Sequence, residues 1–329
     1  MRLTVPALRI GVLLAAAQPL SLLARPDSAL HPRGEAARLI AETWWIMLWG
    51  AVVLFLVVTA LVLYAMFRDP QKRRRASARA LIVGGGVVLP VVTLTALLAY
   101  GVGVGDALTR AVPVDVRIEV IGRQFWWEVR YPDAGVVTAN EIRIPAGRNV
   151  GITLRSGDVI HSFWVPSLAG KIDLIPGQTN ALRLNADAPG VYRGQCAEFC
   201  GTQHAHMAFH VVALEDAEYR EWIARQSAPA VEPVSAASQR GRDAFLAQGC
   251  MQCHAIRGTA ASGGVPGPDL THLASRGHLA AGTLENTPEN IARWISENER
   301  IKPGTTMPSY GALPAATVRD IAAYLGELK

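Results

Sequence analysis

The sequence predicts a membrane-anchored multidomain protein: a hairpin of two transmembrane helices, then a domain of short strands, then a small all-α domain. Two long apolar stretches lie in the first third of the 329-residue chain. Apolar and polar residues begin to alternate at Val114, as in half-buried strands. A segment rich in Ala, Pro and Ser, residues 227–238, then separates this region from the helical C-terminal part, residues 239–329.

The charge distribution indicates membrane topology. The formal net charge is +5, but residues 1–104 hold eleven Lys and Arg against four Asp and Glu, so the rest of the chain is slightly acidic. Because the positive charge lies beside apolar stretches and not on the soluble part, it does not favour nucleic acid as a partner.

Residues 1–24 are predicted to be a secretory signal peptide. Arg2 and Arg9 precede an apolar stretch, Ile10–Ala24, which is the pattern of such a signal. A short extra membrane helix is the alternative, and Pro19 together with the modest apolar length favours the signal.

Residues 43–67 and 80–104 are predicted to be the two transmembrane helices. Each holds about 20 or more mainly apolar residues, enough to cross roughly 30 Å of hydrocarbon. The loop between them carries Arg68 and the run Lys72–Arg75, and such dense positive charge marks the cytoplasmic side. The chain is therefore expected in the bacterial inner (cell) membrane, with everything after residue 105 on the periplasmic or outer side.

Residues 113–222 are predicted to form a β-sandwich or barrel, because several short strand-like runs are punctuated by Gly, Pro, Asn and Asp. These runs lie around Phe125–Tyr131, Glu141–Ile144, Val150–Arg155, Asn180–Leu184 and Ala208–Leu214.

The first of two cysteine motifs predicts a copper site. Cys196 and Cys200 flank a short loop, His204 follows one helical turn later, and Met207 comes close behind. Thiolate, imidazole and thioether ligands together favour copper. A second imidazole must come from elsewhere, and His161 at the edge of an earlier strand is the best candidate.

Other interpretations of this motif are weaker. Zinc could bind two cysteines and a histidine, but the methionine and the β-rich context fit zinc poorly. Two disulfides are disfavoured because each cysteine pair is followed by further ligand residues. His206 and His210 are expected to be structural or exposed.

The second motif, Cys250-x-x-Cys253-His254, predicts covalent attachment of haem c, with His254 as an iron ligand. A thioredoxin-like pair is disfavoured by the histidine and by the absence of a βαβ pattern. Met307, between Thr306 and a proline, is the expected sixth ligand, and a Met/His pair raises the haem potential. His272 and His278 are alternatives to Met307 as the sixth ligand.

The C-terminal part is expected to be helical. Helices are expected at Ser238–Gln248, Thr287–Asn298 and Ala315–Glu327.

The copper motif, preceded by His161-Ser-Phe-Trp-Val-Pro, resembles the dinuclear CuA site of cytochrome c oxidase subunit II. The two-helix hairpin and the segment Gly122–Tyr131 are similar to that family too. The resemblance covers about residues 28–222 and implies a cupredoxin-like β-sandwich. It also implies Mg²⁺ on the Glu198 side chain at the boundary with subunit I. The implied ligands of the two coppers are Cys196, Cys200, His161, His204, Met207 and the backbone carbonyl of Glu198.

The C-terminal part resembles a small class I cytochrome c, and the fusion resembles the caa3-type haem–copper oxidases. This implies that electrons enter at haem c and pass through CuA to the haem of subunit I, where oxygen is reduced to water and protons are pumped. Subunit I, subunit III, the membrane and a soluble donor such as cytochrome c are the implied partners. The alternative is a membrane-anchored periplasmic electron-transfer protein serving another terminal reductase, such as a nitric-oxide reductase.

Three positions depart from the family's pattern. Phe125 stands where the family's aromatic cluster often begins with a tryptophan that receives electrons, although Trp126 and Trp127 remain as relay candidates. Gln178 stands where many members have arginine. No carboxylate lies near Val83, where many members carry a glutamate at a proton-channel entrance. The first departure leads us to expect that electrons enter at the haem more than at the aromatic cluster.

Overall fold

The computed structural model describes residues 27–68, 78–264 and 266–329. The predicted fold class is confirmed: two apolar helices precede a cupredoxin-like β-sandwich and a helical domain. The predicted signal peptide and most of the basic loop lie outside the described residues.

Two helices are long and apolar enough to cross a membrane, α1 (Glu35–Phe67) and α2 (Ala78–Thr109). The most apolar windows of these helices have mean hydropathies of 2.8 and 2.3, and neither window is buried against protein. Within α2, residues Leu81–Val88 are π-helical and contain the three consecutive glycines of the sequence.

The first turns of α1 pack on the β-sandwich. Ala37 and Ala41 are buried, and the Ala37 amide donates to the Leu168 carbonyl at 3.2 Å. Arg38 and Asp187 form an ion pair of 3.1 Å beside them. The helix therefore begins well before residue 43, because its N-terminal end has a protein surface to cover.

The β-sandwich consists of ten strands. They are β1 (Val116–Arg123), β2 (Trp126–Tyr131), β3 (Val136–Ala139), β4 (Glu141–Pro145), β5 (Val150–Ser156), β6 (His161–Trp164), β7 (Ile172–Leu174), β8 (Asn180–Leu184), β9 (Gly190–Cys196) and β10 (Ala208–Leu214). They form two five-stranded sheets, with strand orders β3-β2-β1-β5-β8 and β4-β10-β9-β6-β7. Between the sheets, the rings of Phe163 and Phe209 stack with centroids 4.5 Å apart, and the centroid of the Trp127 ring lies 5.1 Å from that of Phe209.

The chain leaves the sandwich through α3 (Asp216–Ser227), whose buried Trp222 packs on Tyr131 with ring centroids 5.2 Å apart. Hydrogen bonds hold the Ala-, Pro- and Ser-rich segment that follows along the helical domain. The Ala230 amide donates to the Arg257 carbonyl at 2.9 Å, and the Val234 amide donates to Glu327 at 3.0 Å.

The helical domain has a core of its own. Isoleucines at helical spacing, Ile291 and Ile295, are buried on one face of its second helix, and the Thr287 hydroxyl caps that helix by accepting from the Asn290 amide at 3.2 Å. Its elements are α4 (Ala236–Ala247), β11 (His278–Leu279), β12 (Leu284–Glu285), α5 (Pro288–Ile301) and α6 (Ala315–Glu327).

The β-sandwich and the helical domain are in direct contact. The Glu141 carboxylate accepts a hydrogen bond from the Gly277 amide at 2.8 Å, and Arg143 donates to the Ser275 carbonyl at 2.7 Å. Both sandwich residues lie on β4, which is therefore one face of the contact between the domains.

Candidate copper and haem sites

Strand ends bring the candidate copper ligands together. His161 opens β6 and Cys196 closes β9, and these strands are antiparallel neighbours. Met207 lies immediately before β10, which pairs with the other edge of β9. The loop 196–207, which we call the copper loop, supplies the remaining donors Cys200 and His204.

The predicted side chains converge on one point. The two sulfurs of Cys196 and Cys200 lie 3.9 Å apart. Nδ1 of His161 is 4.0 Å from the first sulfur, and Nδ1 of His204 is 3.8 Å from the second. The thioether of Met207 lies 3.7 Å from the Cys200 sulfur. Two sulfurs flanked by two imidazoles and a thioether are a soft donor set that suits copper.

The two parts of Glu198 face different surroundings. Its backbone carbonyl lies 3.2 Å from the Cys196 sulfur, within the donor set. Its side chain is exposed, as is the neighbouring Phe199, which has 75% of its surface accessible. The carbonyl is therefore available to a metal beside Cys196, and the carboxylate is available to the solvent side.

The two thiols influence each other's ionisation strongly. The hydrogen bond between the two side chains lowers the pKa of Cys196 far below its ordinary value. The same hydrogen bond raises the pKa of Cys200, and burial and the negative charge of a Cys196 thiolate raise it further. Two thiolates at this distance need positive charge between them. Bound cations supply that charge, so the pair fits a metal centre.

Asp158 orients the His161 ring. Its carboxylate lies 2.7 Å from Nε2, which leaves Nδ1 facing Cys196. Burial lowers the pKa of His161, but the hydrogen bonds to Asp158 and Cys196 outweigh burial, and the pKa is raised. A Cβ at Gly122 would lie 2.7 Å from the ring, so strand β1 of the opposite sheet needs glycine there. The sequence motif contained no signal for Asp158.

The candidate haem ligands line a cavity of about 340 Å³ in the helical domain, within the roughly 300–1,000 Å³ typical of ligand pockets. Trp294 and the Gly267-Pro268 turn complete its wall. Met307 is the only methionine in this lining among the described residues. The four predicted residues on the wall are Cys250, Cys253, His254 and Met307.

Hydrogen bonds hold His254 and Met307, the two candidate axial ligands of the iron. Nδ1 of His254 lies 2.8 Å from the Pro268 carbonyl, so Nε2 is left for iron. Burial lowers the pKa of His254, which keeps the imidazole neutral, as a metal ligand must be. The fully buried Asn298 donates to the Met307 carbonyl at 2.6 Å and fixes that loop. Sequence reasoning missed Asn298.

A buried cation also lines the cavity. Arg276 is 7% exposed, and burial lowers its pKa. Its guanidinium donates to the Thr138 hydroxyl at 3.1 Å and to the Asp269 carbonyl, and it forms no ion pair with a carboxylate in the described part of the chain. Haem carries two carboxylates, so this wall fits haem.

The alternative haem ligands have other partners, although His278 also lines the cavity. Both ring nitrogens of His272 lie near backbone carbonyls, at 2.7 Å from Lys329 and 3.0 Å from Ala228. His278 stacks on the ring of His210 at 4.1 Å. The geometry therefore favours Met307.

The aromatic candidates separate into two groups. Trp127 is fully buried in the sandwich, where its Nε1 donates to the Met207 carbonyl at 3.4 Å. Phe125 and Trp126 instead line the haem cavity from the sandwich side. Phe125 and Trp126 are thus covered by the helical domain.

Comparisons with known proteins find two matching family models along the chain. A family model described as cytochrome c oxidase subunit II, periplasmic domain, matches residues 136–214, and one described as cytochrome c matches residues 238–329. Cytochrome c oxidase subunit 2 of Alkalihalophilus pseudofirmus is 35% identical over 315 residues, covering 92% of this chain and 91% of that protein. The corresponding subunit of Bacillus subtilis is 31% identical over 252 residues, covering 74% and 70%.

One solved structure to which this chain is similar is that of the periplasmic domain of subunit II of cytochrome oxidase from Bradyrhizobium japonicum. It is 30% identical, covers 35% of this chain and 95% of its own, and has a TM-score of 0.34.

Proposed function

The chain belongs to the cytochrome c oxidase subunit II family and carries a C-terminal cytochrome c domain, and from this we propose that it receives electrons for a caa3-type haem–copper oxidase. In this proposal the helical domain accepts electrons from a soluble donor, and the β-sandwich passes them to subunit I. Oxygen reduction and proton pumping then take place in subunit I, which makes the chain an electron-transfer subunit of an oxidoreductase.

The residues that would hold the redox groups have separate tasks. Cys250 and Cys253 would hold haem c covalently, with His254 and Met307 on the iron. The copper donors would hold two coppers, with the Glu198 carbonyl among them, and the exposed Glu198 carboxylate would hold Mg²⁺ at the boundary with subunit I. When bound, haem and copper supply one-electron redox chemistry.

One observation carries this proposal: a single segment of the sandwich contacts both the haem cavity and the copper loop. Phe125 and Trp126 of the sandwich line the cavity that also contains the haem-binding cysteines. The preceding residue, Gln124, donates from its side chain to the Cys200 carbonyl at 2.7 Å. A single short segment therefore touches both sites, and a soluble donor meets the haem domain before it can reach the aromatic cluster.

The proposed assembly follows from the apolar helices and the family. Helices α1 and α2 would anchor the chain in the bacterial inner membrane as a multi-pass subunit, with both redox domains on the periplasmic side. Subunit I would be the obligatory partner, with subunit III beside it and cytochrome c or another soluble protein as donor.

Purification of the tagged full chain in mild detergent tests the proposal. We expect one optical spectrum to contain haem c, haem a from subunit I and a near-infrared copper band, and we expect the preparation to consume oxygen with a reduced donor. Cys196→Ser should remove the copper band and keep haem c, and Cys250→Ser should disturb haem c and keep the copper band. Isolation without a haem a-containing partner would contradict the oxidase assignment.

A further inference from the structure

The loop that carries Met307 lies directly on the copper loop. The Gln203 side chain donates to the Pro303 carbonyl. Gly304, with a φ of +79°, is so close to Thr202 that a Cβ would lie 2.8 Å from its hydroxyl oxygen. We call residues 302–308 the haem loop. The loops that carry the two sets of metal ligands are thus in contact, although they belong to different domains.

Lys302, at the start of the haem loop, makes the most unusual part of this contact. It is only 3% exposed, and its ammonium donates to the Phe125 carbonyl at 2.7 Å and to the Ala280 carbonyl at 3.4 Å. No carboxylate in the described ranges forms an ion pair with it. Burial lowers the pKa of Lys302 to about 7. Burying an unpaired ammonium is costly, so an apolar side chain would suit a purely structural position better.

The peptide that receives this lysine is tied to the copper ligands from its other side. The Gln124 side chain donates to the Cys200 carbonyl at 2.7 Å. The Gln124 amide donates to Asp158 at 2.6 Å, and the same carboxylate lies 2.7 Å from the His161 ring. The Gln124–Phe125 segment therefore connects the buried lysine to two candidate copper ligands through hydrogen bonds.

Lys302 also lines the haem cavity. An ammonium has three donors, and two face the carbonyls already named. The third donor would be available to a haem carboxylate, which would also keep the side chain charged.

We propose that Lys302 is a positioning residue that fastens the haem loop to the Gln124–Phe125 segment and so sets the separation between the haem cavity and the copper donors. The contact between Lys302 and the Phe125 carbonyl is present in the structure of the chain itself. The role of this contact in electron transfer rests on the proposed function. In that transfer one electron would pass from a haem held in the cavity by His254 and Met307 to copper held by the copper loop, so that the first is oxidised and the second is reduced. Lys302 gains and loses no proton or bond. Its effect comes from fixed geometry, because electron-transfer rates fall steeply with distance.

The test compares Lys302→Met, Lys302→Arg and Lys329→Met in the full-length complex. Methionine matches the length of lysine and suits a buried site, arginine keeps the donor, and Lys329 is an exposed lysine of the same domain. Hydrogen exchange, followed by mass spectrometry, reports opening of the haem and copper loops. Rapid reduction of haem c, followed optically, reports the transfer rate, and the absorption bands report the ligation of each centre.

We expect Lys302→Met to speed exchange in both loops by about tenfold, the effect of losing one hydrogen bond to a charged group. Transfer should slow while both absorption bands stay unchanged. Lys302→Arg should recover part of both losses, and Lys329→Met should behave like wild type. Wild-type exchange in Lys302→Met, or equal effects of Lys302→Met and Lys329→Met, would overturn the proposal. If the wild-type chain itself transfers no electron from haem to copper, the proposed function fails, and the exchange measurement still decides the fastening.

Discussion

The imidazole rings of His210 and His278 lie face to face across the contact between the two domains, with centroids 4.1 Å apart and planes inclined by 21°. Burial lowers the pKa of His210, and the nearby His278 and Arg193 lower it further, whereas Glu141 and Asp27 act in the opposite direction. The stacked pair is therefore most favourable when His210 is neutral.

This pair predicts a pH-dependent contact. His210 has the lower pKa when the domains are docked, so separated domains would bind more protons at this residue. The free energy of docking should therefore be at its full value above the ordinary histidine pKa of about 6.5, and it should become less favourable as the pH falls below that value. Hydrogen exchange at β10 and β11 between pH 5 and 8 measures this. His210→Gln should flatten the dependence, and His206→Gln, at an exposed site, should not. An unchanged pH profile in His210→Gln would contradict the prediction.

Removing the carboxylate that orients His161 should weaken copper binding. Asp158→Ala leaves the ring without its partner at Nε2, and losses of about 10–100-fold in affinity are typical of such changes. Competition with a copper chelator measures the affinity. Glu218→Gln, an exposed carboxylate on α3, is the control and should retain wild-type affinity.

Met207→Leu should change the copper potential and slow electron transfer to the oxidase core, because it replaces the thioether beside Cys200 with a hydrocarbon. Haem attachment should stay intact, since the helical domain is untouched. Copper absorption, redox titration and haem staining of the same preparation measure these effects. Unchanged copper spectra and kinetics would remove Met207 from the ligand set.

Met307→Ala should lower the haem potential and change the axial-ligand spectrum, because a Met/His pair holds the potential high. Redox titration of the full chain measures the shift. His272→Gln is the matched control, since both its ring nitrogens face carbonyls away from the cavity. A wild-type titration for Met307→Ala would exclude it as a ligand.

The local parts of both sites could be predicted from sequence, because their spacing is short. The donors from Cys196 to Met207 lie on one loop, and the haem motif occupies five residues. Strand β7, with three residues, is too short to display alternation and was missed. Strand β9 was missed because glycines interrupt its pattern.

The supporting residues could not be predicted, because each acts through a contact between distant parts of the chain. Lys302 meets Phe125 across 177 positions, and Gln124 meets Cys200 across 76. Lysine and glutamine are common on surfaces, so their residue type carried no signal. Lys302 gains its partner only where the two domains pack, and Gln124 gains its partner only where two loops of the sandwich meet.

Helix α1 runs as one α-helix from its apolar segment to its packing on the sandwich at Ala37. Where α1 spans a membrane, as proposed, the number of residues between its apolar segment and Ala37 would set the rotation of the sandwich about the helix axis as well as its height. Each added residue would turn the domain by about 100° and lift it by about 1.5 Å. The direction in which the exposed Phe199 side chain points would thus depend on the number of residues in a helix far upstream in the chain.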